Sequence, residues 1–87
     1  MELALNNELK DFKIFPNPAS DNFNISLKGF KKAEITISDL LGKTVYQTNT
    51  TNTELNLTKG NTFKTGMYII KVVDENNEQH ISKLVVK

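Results

Sequence analysis

The stretch Thr65-Gly66-Met67-Tyr68-Ile69-Ile70-Lys71-Val72-Val73 is the longest apolar, β-branched-rich run in the chain. Its length and its lack of helical spacing make it a central strand. Gly66 lets the backbone turn into that strand without a Cβ clash, and Tyr68 brings a ring that can bury its body and hydrogen-bond its tip. Alternation sends Met67, Ile69 and Val73 to one face, with Lys71 among them, and Tyr68, Ile70 and Val72 to the other. Both faces are therefore expected to be mostly apolar, as an inner strand requires.

Six further segments carry the two-residue period of strands or the signals that bound them. Residues 12–15 alternate weakly and run into Pro16, which reads as an edge strand ending in a stiff corner at Pro16-Asn17-Pro18-Ala19-Ser20-Asp21. That corner is expected to be ordered by its prolines and by side chains bonding nearby amides, without a ladder partner. Residues 22–28 place Phe23, Ile25 and Leu27 on one face. Ala33, Ile35 and Ile37 repeat the pattern before Asp39-Leu40-Leu41-Gly42, an Asp-to-Gly type I turn closed by a left-handed glycine. In the return strand over residues 43–48, Val45 is expected inward and Tyr46 on the other side. Leu55 and Leu57 mark a short strand at 53–57, residues 58–65 form a loop, and Ile81, Leu84, Val85 and Val86 lie on a final strand after the polar tip at 74–78.

Seven short strands with no amphipathic helix point to one all-β domain, an immunoglobulin-like antiparallel β-sandwich with Greek-key connections. Tyr68 sits where such sandwiches carry their tyrosine corner, although the usual cysteines and tryptophan are absent. At 87 residues no second domain fits. Residues 1–11 read as linker, a short frayed helix, or the remnant of an added start, and residues 12–87 as the domain. No run reaches the ~20 apolar residues that span a bilayer, and residues 1–11 lack the regions of a signal peptide, so an exported form needs one upstream.

Composition narrows the chemistry. Without cysteine there are no disulfides, thiolate metal sites or cysteine nucleophiles. All eleven basic residues are Lys, which removes the bidentate fork suited to phosphate and guanine and argues against nucleic acid. His80, the single histidine, reads as an exposed strand residue rather than a catalytic base, and no carboxylate pair falls in a motif, so no catalytic residue and no cofactor are expected. Asp74, Asn76 and Glu78 carry oxygen ligands of the kind calcium takes, yet the loop is too short for an EF-hand and reads as a solvated hairpin tip. The Asn-x-Ser/Thr triplets at Asn24, Asn49 and Asn56 carry little weight in so Asn- and Thr-rich a chain, and Lys31-Lys32 reads as a solvated turn. Leu40-Leu41 is unusual for a hairpin tip: one leucine is expected to fold back over the sandwich, and the other, if exposed, offers a docking point.

Four segments together make a familiar pattern: Phe15-Pro16-Asn17-Pro18-Ala19-Ser20-Asp21, then Asp39-Leu40-Leu41-Gly42-Lys43-Thr44-Val45, then Gly66-Met67-Tyr68-Ile69-Ile70-Lys71-Val72, then Lys83-Leu84-Val85-Val86-Lys87. In order and spacing the chain resembles the C-terminal sorting domain of type IX secretion cargo, type A, over residues 12–87. The resemblance implies a non-catalytic terminal module of a larger exported protein in a Gram-negative bacterium. It also implies the partners: a covalently fused upstream cargo, the outer-membrane type IX translocon, and a sortase-like peptidase that removes the domain and leaves cargo released or on the cell surface. Direct membrane insertion is not implied. The sorting-motif residues are then Pro16, Asn17 and Pro18; Gly42 and Lys43; Gly66 and Tyr68; and Lys83, Leu84, Val85, Val86 and Lys87. Each also has a purely structural use, as corner, positive-φ turn or packing group. The rival readings are an immunoglobulin-like carbohydrate-binding or adhesion module, disfavoured by the lack of tryptophan, and a plain spacer.

Overall fold

The structure is a computed structural model and describes residues 10–87. The linker or frayed helix expected over residues 1–11 lies outside the described residues except for Lys10 and Asp11. Seven strands follow in order: β1 (Asp11–Phe15), β2 (Asn22–Lys28), β3 (Ala33–Asp39), β4 (Thr44–Thr50), β5 (Glu54–Thr58), β6 (Gly66–Val73) and β7 (Gln79–Val86). No helix among the described residues is long and apolar enough to cross a membrane.

The strands make two antiparallel sheets, ordered β1-β2-β5 and β4-β3-β6-β7. Their inner faces share one core, because Phe23, Ile25 and Leu27 on β2 meet Ile35 and Ile37 on β3, Tyr68, Ile70 and Val72 on β6, and Leu84 and Val86 on β7. Each set alternates with more exposed residues, so the two-residue period of the sequence is the period of burial. The connections β2–β3, β4–β5 and β5–β6 cross between sheets. β4 stays beside β3, its hairpin partner, whereas in constant-type immunoglobulin domains the fourth strand joins the other sheet.

β6 is an inner strand, between β3 and β7, but only one of its faces is fully covered. Tyr68, Ile70 and Val72 are buried; Met67 is 39% exposed, and Ile69, Lys71 and Val73 are half-buried on the outer surface. The hydrogen-bonding edges of β6 are both satisfied, so β-propensity and pairing, not burial on two sides, account for its apolar outer residues.

β4 corrects a second expectation. The register shifts between Ile37 and Ser38, so Tyr46 comes opposite the core residue Ile37 and tilts over Phe63 at 6.1 Å. Val45, half-buried beside the bulge, packs against the core as expected, and Tyr46 joins it there instead of covering the other side. The extra residue breaks the alternation, so two successive side chains of the strand reach the core.

Candidate functional site

Two hairpins are built alike from an aspartate. At the β3–β4 turn the Asp39 N–H donates to the Lys43 carbonyl, the Gly42 N–H donates to the Asp39 carbonyl, and Asp39 Oδ1 accepts from the Leu41 and Lys43 amides, both at 2.9 Å. Gly42 holds φ +89° there, and an added Cβ would meet nothing within 4 Å, so glycine is needed for backbone conformation and not for space. At the β6–β7 turn Asp74 repeats these bonds with Asn76, Asn77 and Glu78, and Asn77 takes the positive φ. The two turns lie at opposite ends of the same sheet.

The end with the Asp39 turn gathers all four sequence motifs. Asp39 lies opposite Tyr68, Tyr68 opposite Leu84, and Gly66 opposite Val86. Ala19 then makes a parallel bridge with Val86. Segments more than 60 residues apart in sequence thus form one continuous patch of backbone.

The proline corner has a ladder partner after all. Leaving the first sheet after β1, the chain reaches across to the outer edge of β7. There Asn17 Nδ2 donates to the Lys83 carbonyl, and the Val85 N–H donates to Asn17 Oδ1, each at 2.9 Å. One step on, the Ala19 N–H donates to the Val85 carbonyl and the Lys87 N–H to the Ala19 carbonyl, each at 2.8 Å. The side-chain amide of Asn17 copies the donor and acceptor of a peptide group, which suits a site where Pro16 and Pro18 have no N–H to give. Asn17 therefore bonds far along the chain, not to nearby amides as expected. Lys59 Nζ adds a 2.7 Å bond to the Lys87 carbonyl. The edge of the last strand is closed over Lys83, Val85 and Lys87, while Leu84 and Val86 point into the core.

Tyr68 forms a tyrosine corner: its ring is buried and its hydroxyl donates to the Lys64 carbonyl at 2.7 Å. Phe63, in the loop before β6, packs edge-on to Tyr68 at 5.7 Å and to Phe23 at 5.3 Å, joining the two sheets at this end. Gly66, at φ +152°, lets the chain pass from that loop into β6. Sequence reasoning missed Phe63, whose signal is a lone aromatic in a polar loop.

Leu40 and Leu41 are 63% and 94% exposed, so neither folds back over the sandwich. The Asp39 bonds hold the turn upright and leave both side chains projecting. Lys43, just past Gly42, is also exposed.

The opposite end is a polar staple rather than a solvated tip. Asp74 is buried, and its carboxylate accepts from the Asn76 and Glu78 amides and meets His80 Nε2 at 2.9 Å. His80 is half-buried, edge-on to Phe30 at 4.9 Å, and not the exposed strand residue expected. The hydrogen bond from His80, with the two backbone amides and Lys10 helping against desolvation, lowers the Asp74 pKa to about 2. Lys10 pairs with Glu75 at 3.0 Å, and that bond raises the Lys10 pKa. Asp74, Glu78 and His80 bring ligand atoms within 4.8 Å of one another, but the carboxylate of Asp74 is already engaged by His80 and the turn amides. Asn24 and Asn56, two of the Asn-x-Ser/Thr asparagines, bond to each other across β2 and β5.

A two-sheet antiparallel sandwich closed by a tyrosine corner, with its last strand sealed by a proline-rich crossover, defines an immunoglobulin-like β-module. The secretion system C-terminal sorting domain model matches residues 13–87, and the chain belongs to that family, the sorting domains of type IX secretion. Membership places it among exported proteins. An endo-acting ulvan lyase of Formosa agariphila is 39% identical over 77 residues, covering 88% of this chain and 15% of that protein. An ulvan lyase of Nonlabens ulvanivorans, NLR42, is 36% identical over 73 residues, covering 84% of this chain and 14% of that protein. The chain thus corresponds to a small fraction of these relatives. Among solved structures, one of PorZ, a surface component of the type IX secretion system of Porphyromonas gingivalis, superposes with TM-score 0.74 at 24% identity over 87% of this chain and 11% of its own. CopC from Methylosinus trichosporium shares the fold at TM-score 0.50 and 16% identity, over 88% of this chain and 94% of its own.

Proposed function

We propose that this domain is a non-catalytic sorting signal that acts as a folded object: it carries a larger fused cargo protein to the type IX outer-membrane translocon, which engages the end where the four motifs meet. The observation that carries this reading is the pairing of Asn17 and Ala19 with Lys83, Val85 and Lys87, since it makes the first and last motifs one structure. Pro16 and Pro18 set the crossover, Gly42 and Lys43 belong to the projecting hairpin, Gly66 and Tyr68 anchor β6, and Lys83, Leu84, Val85, Val86 and Lys87 form the presented strand. By analogy with the ulvan lyases it matches, the cargo is a polysaccharide-degrading enzyme. A sortase-like peptidase then removes the domain, and the cargo is released or retained at the surface.

A fusion experiment tests this. Residues 12–87 are placed behind a signal peptide and a reporter in a bacterium with the type IX system. Export of the reporter with the domain and periplasmic retention without it is the expected result. Equal retention with and without the domain refutes the sorting role.

A further inference from the structure

Among the described residues, four of the five large hydrophobic side chains that stand exposed lie at the motif end: Phe15, Leu40, Leu41 and Met67, with Ile81 alone elsewhere. The charges divide by end as well. Lys43, Lys64, Lys83 and Lys87 belong to the motif end, with Lys59 bonded there to the Lys87 oxygen, against Asp21 and Asp39, and the Asp39 carboxylate is engaged by its own turn. At the other end lysine is matched by carboxylates, as where Lys10 pairs with Glu75. Among the described residues, the motif end therefore presents a basic face carrying exposed apolar side chains.

Resting on the sorting reading, we propose that the Leu40–Leu41 hairpin tip is the knob by which the domain docks, and that its occupant is a protein with an apolar pocket rimmed by carboxylates. The turn is already fixed by four hydrogen bonds around Asp39, so the leucines dock with little ordering cost. Lys43, two residues after Leu41, and the other lysines of the same end steer an acidic partner and reject basic ones. A bilayer suits the tip less well: two leucines offer less apolar carbon than a myristoyl chain, which by itself anchors only marginally.

The test uses the full 87-residue chain behind a signal peptide and reporter in a host with the type IX system. Leu41→Asp, the milder Leu41→Ser, the double variant Lys43→Glu/Lys64→Glu, and the control Ile81→Asp are compared. Thermal unfolding confirms folding, which Leu41 at 94% exposure leaves intact. Export is expected to fall about tenfold or more for Leu41→Asp, the loss of roughly 1.4 kcal/mol of docking per tenfold. Leu41→Ser falls between that and the unmodified chain, Lys43→Glu/Lys64→Glu also falls, and Ile81→Asp stays near the unmodified level. Unimpaired export of a folded Leu41→Asp chain overturns the knob; unimpaired export of the lysine variant overturns the acidic rim; equal loss with Ile81→Asp overturns its location. Binding of the unmodified chain, but not Leu41→Asp, to phosphatidylglycerol vesicles overturns the protein partner in favour of lipid. Retention of the unmodified fusion is a different outcome, and it removes the sorting reading itself.

Discussion

Replacing Asn17 with Asp changes one atom group in the clamp on the terminal strand. Asp keeps the Oδ1 acceptor for the Val85 amide but puts a second carboxylate oxygen where Nδ2 now donates to the Lys83 carbonyl at 2.9 Å. A bond is exchanged for an opposition of two acceptors. Side-chain hydrogen bonds of this kind contribute about 0.5–1.5 kcal/mol each, and the exposed site favours the lower half of that range, so the loss of this one bond is about 0.5–1 kcal/mol. In a domain of this size each kcal/mol moves the melting midpoint by about 4–8 °C. Near pH 3 the deficit should shrink, because a carboxyl group with an ordinary pKa of about 3.9 is largely protonated there and its O–H can donate to Lys83. Measured as a difference from the unmodified protein at each pH, other acid effects cancel. Hydrogen exchange supplies the local readout: the Ala19 and Lys87 amides, which close the same crossover, should lose protection while amides of β3 and β6 keep theirs. A variant as stable as the parent at pH 7, or a deficit unchanged near pH 3, refutes the clamp as described.

Three further outcomes follow from the same geometry. Tyr68→Phe keeps the ring against Phe63 and removes only the bond to Lys64, so denaturant unfolding should register a loss of about 1 kcal/mol, whereas Phe63→Ala, which empties the junction of the sheets, should lose about 3–5 kcal/mol. Asp74, with its pKa lowered from 3.8 to about 2, adds stability that is present above about pH 4 and is lost as pH falls from there toward 2. Asp74→Asn should therefore melt lower than the parent at pH 7 and converge with it near pH 2 in a pH series of melting curves. Gly42→Ala should cost about 1 kcal/mol in denaturant unfolding through left-handed backbone strain alone, with the side-chain packing around the turn unchanged, since no atom lies where the methyl would go.

The strands were legible because alternation survives in the side chains: Phe23, Ile25 and Leu27 announce a face, and so do Ala33, Ile35 and Ile37. The features that failed to show are those in which a residue acts at a distance or against its local character. Asn17 looks like a turn residue, and nothing nearby says that its partners are Lys83 and Val85. Asp74 stands in a polar tip, yet burial follows from His80 and the turn amides closing over it. Tyr46 joined Val45 on the core because the register shift opposite Ile37 breaks the alternation that would send it outward. Phe63 is core without a periodic neighbour. The sorting motifs were readable as four separate strings, while their meeting at one end depends on the order β4-β3-β6-β7 and on the crossover to β7.

The central claim is that the signal is this folded end and not a linear tail. Removing residues 82–87 takes Leu84 and Val86 out of the core and leaves Asn17 and Ala19 without partners. Reporter export and the far-ultraviolet circular dichroism of the purified domain are measured together on that truncation. The expected result is loss of the sandwich and retention of the reporter in the periplasm; export of a reporter carrying the unfolded, truncated domain would contradict the account.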